Sequence, residues 1–221
     1  MPETPGAMFQ GIQNWAACVF APRARVVAAA PVHGADARSV GAAALPEVAD
    51  FAARADDEEL DGFLVEFLDP ACGNTLDALI TTVRELLTGL ITADGHDPAH
   101  ALAQADSEHW WLTLCGTRWF VLAFAPCYPA VSPRFTFGST STYVLLQPVS
   151  SFDRRATPRG TTVSPEVRAR IRRAYAAGGC PYDHELAQQD VEALKFVWPL
   201  RLGDAPVRWW TGATNPGGEP A

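Results

Sequence analysis

The chain has 221 residues, a formal net charge of -8 and a pI near 5.0, with 48% of residues hydrophobic and 19% charged. This is enough apolar material for one sizeable core. The acidic balance argues against a nucleic-acid footprint, which needs a basic surplus.

Met1 to Gln10 carries Glu3 and no basic residue ahead of an apolar run, so no secretion signal is expected. No stretch approaches the roughly 18 apolar residues of a membrane helix. The longest apolar run, Trp119 to Pro126, is strand-sized. Cys18, Cys72, Cys115, Cys127 and Cys180 are odd in number and lack metal-pair spacing. Reduced thiols in a cytoplasmic protein are the reading, rather than a disulfide framework.

In chain order, Phe9 to Trp15 reads as a short helix, and Pro46 to Arg54 as a helix with proline in its first turn. Asp56-Asp57-Glu58-Glu59 reads as a solvated turn. Phe63 to Leu68 is a strand ended by Asp69-Pro70. Leu76, Leu79, Ile80, Val83, Leu86, Leu87 and Leu90 recur at helical spacing, with Asn74 or Thr75 as cap. His109 to Cys115 and Arg118 to Ala125 form a hairpin around Gly116-Thr117, and Ser141 to Gln147 is a further strand. The loop from Pro126 to Gly138 lies between them. Ser164-Pro165-Glu166 opens a helix with Val167, Ile171 and Tyr175 as its buried line, and Gly178-Gly179 stops it. Asp183 to Ala193 is read as one more helix. The hairpin-rich block predicts an α+β protein: one domain over 8–212, a mainly antiparallel sheet with helices packed on it, and flexible termini at 1–7 and 213–221.

There is no P-loop, GxSxG elbow, GxGxxG, HExxH or zinc-type cysteine pair. His96 and His100 have ligand spacing, but Gly-His-Asp-Pro-Ala-His has loop composition, so a surface loop is the reading. His109 opens a strand beside Trp110 and Trp111; it is a candidate haem ligand, with a satisfied strand histidine as the stronger alternative. His184 sits at a helix start and reads as surface, and His33 carries no signal. Cys18 reads as a buried small hydrophobe unless basic neighbours reach it. Arg134 follows a proline-rich turn between two core strands. Its guanidinium either holds a carboxylate or ties the loop to a backbone carbonyl, and both readings stand. Arg168, Arg170, Arg172 and Arg173 read as a solvated face.

The order of several segments resembles the YqcI/YcgG family across roughly residues 9 to 212. The segments are Phe9, Trp15 and Cys18-Val19-Phe20-Ala21, then Ala125-Pro126, Tyr128-Pro129 and Arg134-Phe135, then Tyr143 to Pro148 with Ser151-Phe152, and finally Tyr182-Asp183 and Trp209-Trp210. The family includes haem-dependent N-hydroxylases acting on guanidine groups, so the resemblance implies a haem b-dependent N-oxygenase for a small amine or guanidine, served by an electron donor. Two histidines of that branch are replaced, one by Ala125 and one by Val149 ahead of Phe152, and Ala17 fills a proline place. His109 is therefore the first candidate for the metal, with His184 and Cys18 next, and Arg134, Tyr128 and Cys18 are the other candidate cofactor contacts. Glu66 or Asp153 is the candidate partner for a cationic substrate. The alternative is a non-haem small-molecule binder or pathway accessory on the same scaffold.

Overall fold

Strands β2 (Gly62–Phe67), β4 (Thr117–Phe124) and β5 (Thr142–Pro148) form the centre of a five-stranded sheet. Short strands β1 (Val26–Ala28) and β3 (Leu112–Leu114) lie at its edges, in the order β1-β2-β5-β4-β3. A computed structural model of the chain describes residues 6–34, 36–155 and 165–212. β1 runs parallel to β2; the other pairings are antiparallel, with Leu145 opposite both Leu64 and Leu122. The expected α+β class and mainly antiparallel sheet are what is found. β1 was not anticipated.

Alternation sorts the strands into two faces. Phe63, Val65, Phe67, Trp119, Val121, Ala123, Val144 and Leu146 belong to the larger core. Against them pack α2 (Ala37–Arg54) and α3 (Leu76–Ala93). The leucine stripe of α3 is buried as its spacing predicts, and Thr75 caps the helix by accepting from the Ala78 amide at 3.1 Å. The start of α2 differs from the sequence reading. Asp36 caps it, accepting from the Arg38 and Ser39 amides, and Pro46 lies inside the helix rather than opening it. Pro46 and Ala42 are both exposed, and Pro46 has no N–H to donate to the Ala42 carbonyl one turn back.

Gly41 and Gly89 set how closely α2 and α3 approach. A Cβ on Gly41 would stand 2.1 Å from the Leu86 carbonyl oxygen, and one on Gly89 would stand 2.0 Å from that of Arg38. The helices touch backbone to backbone there.

The other sheet face carries Leu64, Phe124, Tyr143 and Leu145, covered by Phe9 and Ile12 of α1 (Ala7–Trp15). The remaining helices are α4 (Pro98–Ala103), α5 (Val149–Arg155), α6 (Pro165–Ala177) and α7 (His184–Ala187). α6 matches its predicted span: Tyr175 is buried, Val167 and Ile171 are half-buried, and Arg170, Arg172 and Arg173 are exposed. Past α6, the Cys180 amide donates to the Tyr175 carbonyl at 3.0 Å, with Gly179 at φ 69 closing the helix as its glycine pair predicts. The single helix read over Asp183 to Ala193 is instead the short α7 followed by a 3-10 turn, Glu192–Lys195.

The residues read as flexible at 1–5 and 213–221 and the Ser164 cap lie outside the described residues. Gly6 and Ala7, placed in the loose N-terminus by sequence, instead lead into and open α1. Among the described residues no helix is long and apolar enough to cross a membrane.

Candidate functional site

A cavity of about 300 Å³ lies between the second sheet face and the elements above it. Its floor includes Leu122 and Leu145; Phe9 and Ile12 of α1, Phe152 of α5 and Ile171 of α6 contribute apolar walls. This volume is at the lower end of small-molecule sites, and a mainly apolar lining with a few polar groups is their usual composition.

Arg134 is the exceptional residue in the wall. The loop that carries it is held at Arg134 itself: the Arg134 carbonyl accepts from the Ala125 amide at 3.3 Å, and its own amide donates to Ser132 Oγ at 3.2 Å. The side chain is turned inward, leaving the residue 5% exposed. Its Cζ sits 5.3 Å from the Phe124 ring centroid and 5.2 Å from that of Trp198, within cation–π range. Nη2 donates to the Lys195 carbonyl at 3.2 Å. The two sequence readings of Arg134 are thus not exclusive: it does tie the loop to a backbone carbonyl, and no described carboxylate pairs with it. Burial pulls the guanidinium below its usual range, opposed by the nearby Tyr128, Tyr175, Tyr182 and Cys18.

Rings continue from there. Trp198 meets Tyr182 at 5.7 Å, and Tyr182 meets Tyr175 at 4.9 Å. On the other side Phe124 meets Phe9 at 5.4 Å, edge to face. Burial raises the phenols of Tyr175 and Tyr182 above the usual tyrosine range although Arg134 acts against it, so both are neutral donors near neutral pH. Neither hydroxyl hydrogen-bonds to another described residue.

The structure brings two of the sequence candidates together: Arg134 and Cys18 both line the cavity. Tyr128 stands behind the wall, 1% exposed, with its hydroxyl bound to the Trp198 backbone. His109 does not open a strand as the sequence reading expected. Its side chain is 87% exposed, 3.6 Å from Glu108, in a turn outside the cavity lining. The strand it was expected to open starts only at Leu112, because Ser107 takes the amides of His109 and Trp110 to make the turn. His184 begins α7, with Nε2 2.8 Å from Gln188 Nε2 and beside Arg172, and is likewise absent from the lining. His96 precedes α4 while His100 lies within it, 2.8 Å from Gln104. Pro98 opens that helix, where the sequence suggested loop.

Neither Glu66 nor Asp153 lines the cavity. Glu66 is buried opposite Tyr143 on the sheet, and Asp153 is exposed on α5. The carboxylate in the lining is Asp61, which accepts from the Arg25 amide at 2.9 Å and lies 3.7 Å from Arg154. Sequence reasoning missed Asp61 and Trp198, and took Tyr175 for a helix packing residue. The tyrosines' one signal was position: Tyr175 and Tyr182 flank the Gly178-Gly179 stop, which folds them onto each other.

Among the described residues no group of three or more His, Cys, Asp or Glu is placed to hold a metal ion. The fit to haem is partial. No described histidine lines the cavity, so the histidine-ligated arrangement does not fit; Cys18 is the thiol on its wall. No family model, curated protein or solved structure matches the chain.

Proposed function

We propose that this protein binds a small organic molecule in the cavity between its sheet and α1, α5 and α6, as a binder or pathway accessory. The observation that carries the reading is a mainly apolar cavity with one deeply buried guanidinium on its wall. Apolar walls supply affinity through burial, and a few placed polar groups supply orientation.

The test is thermal denaturation against a panel of small aromatic and aliphatic compounds, run on the wild type and on Leu122→Trp, which fills the cavity floor. Ligand at about 100 times its Kd stabilises by roughly 2.7 kcal/mol. A rise in Tm in the wild type that disappears in Leu122→Trp supports the reading. Equal shifts in both proteins would count against it.

A second reading follows the resemblance to the YqcI/YcgG family: a haem b-dependent N-oxygenase, with the cofactor supplying the oxygen chemistry. The observation in its favour is Cys18 on the cavity wall beside Arg134, since a thiolate is one of the side chains that hold haem iron. The visible spectrum of protein produced with added haem precursor separates the two readings. A Soret band lost in Cys18→Ala and kept in His109→Ala favours haem. A colourless protein that still responds to the panel favours the simple binder.

A further inference from the structure

We propose that the ligand of this cavity is a monocarboxylate with an apolar body, its carboxylate seated on Arg134 and its body along Leu122, Leu145 and Ile171. The inference rests on the reading of the cavity as a binding site.

A buried arginine ordinarily has an anionic partner, because an unpaired charge taken out of water is costly. Arg134 has two aromatic faces and one carbonyl instead. One Nη2 bond leaves the other N–H groups of the guanidinium fork uncommitted among the described residues. That fork matches a planar carboxylate in bidentate fashion.

The groups beside it complete the match. Tyr175 and Tyr182 both line the cavity and feel the Arg134 charge, and their unengaged hydroxyls are donors. A guanidinium with phenolic donors beside it is suited to an acceptor-only group.

Charge count decides the class of anion. Arg134 is the one cationic residue in the described lining, with Arg168 and Arg172 acting on Tyr182 from outside it, and the other charged residue in the lining is Asp61, of opposite sign. A phosphate, with nearly two charges at neutral pH, would need further donors. A cationic ligand would meet Arg134, while Asp61 already has the Arg25 amide and Arg154 against it. A single negative charge on an apolar frame is what this lining compensates.

The experiment compares matched acids and amides: phenylacetate with phenylacetamide, and octanoate with octanamide. Kd is measured by calorimetry and Tm by thermal denaturation on the full chain. The expected result is that an acid binds at least about tenfold more tightly than its amide, and that this preference weakens below about pH 5 as the ligand's own carboxyl protonates. Arg134→Gln is expected to erase the preference, and Tyr175→Phe to reduce it. An amide that binds as tightly as its acid overturns the carboxylate inference and leaves the cavity reading standing. An acid preference that persists in folded Arg134→Gln also overturns it. If neither acid nor amide binds, the carboxylate inference falls; the cavity reading falls with it only if no compound of the wider panel shifts Tm. The acid-to-amide ratio and its pH dependence are read on the wild type, so they hold even if a variant does not fold.

Discussion

One hydroxyl joins Tyr128 to Trp198 twice: it donates to the Trp198 carbonyl at 3.0 Å and accepts from the Trp198 amide at 3.0 Å. The segment around Trp198 has no strand or helix of its own at this point, so this pair, together with the bond from the indole N–H to the Lys195 carbonyl, fixes where the indole lies. That indole is one of the two faces on which Arg134 rests. Tyr128→Phe keeps the ring and leaves a buried N–H and a buried C=O unpaired. The expected cost is about 2 to 3 kcal/mol, a Tm lower by roughly 4 to 12 °C. Thermal denaturation checks it, and a Tm within a degree of wild type would mean that water replaces the hydroxyl.

Glycine to alanine normally strengthens a helix interior by about 1 kcal/mol. At Gly41 and Gly89 the sign reverses. Each new methyl would push against a backbone carbonyl of the facing helix at 2.1 or 2.0 Å, and a carbonyl cannot rotate away as a side chain does. Gly41→Ala and Gly89→Ala are each expected to destabilise by about 3 kcal/mol or more. Both force α2 and α3 apart, so the double variant is expected to lose less than the sum of the singles. Urea unfolding of the three variants measures this, and strict additivity would show that the two contacts yield independently.

What could be read in the sequence follows from how local each signal is. α3 was legible because its leucine stripe repeats over several turns and is buried from Leu79 to Leu90. The start of α2 was not, because its alanine-rich first half carries a weak apolar stripe and Pro46 imitates a helix opening. β1 has three residues and exists through its pairing with β2, which no local pattern encodes. The site divides in the same way. Arg134 was found from its loop between two core strands, whereas Trp198 reaches the cavity through a bond to Tyr128, distant in sequence. His109 misled because the aromatic run after it looks like strand, while Ser107 upstream had already committed the backbone to a turn.

Alkaline pH is expected to weaken the fold. Burial pushes the Cys127 thiol from 9.0 up to about 12, and burial raises Tyr128 and Tyr175 above the usual 10.0. These groups hold their protons more tightly folded than unfolded. Their contribution is therefore complete below pH 9 and is lost as pH rises from 9 toward 12. Tm is expected to fall across that window, and phenolate absorbance to lag behind that of free tyrosine until unfolding. Alkylation at pH 8 is expected to spare Cys127 in the native protein and to modify it after denaturation. Full labelling of native Cys127 at pH 8 would contradict its placement.

Arg134 gives the sharpest separation between folding and function. Its guanidinium is removed from water at a cost of several kcal/mol. The two ring faces return about 2 kcal/mol each at most favourable estimate. The Lys195 carbonyl does not depend on it, because the Trp198 indole N–H also donates there at 3.1 Å. Arg134→Met, similar in length and apolar, therefore leaves no described partner stranded and removes the uncompensated charge. The expected outcome is a Tm equal to or above that of wild type, together with loss of carboxylate binding. That combination marks a residue kept at the expense of stability for what it holds. A Tm that falls by more than about 5 °C would show instead that the guanidinium's contacts with Phe124, Trp198 and Lys195 hold the loop in place, and that its charge is there for the fold.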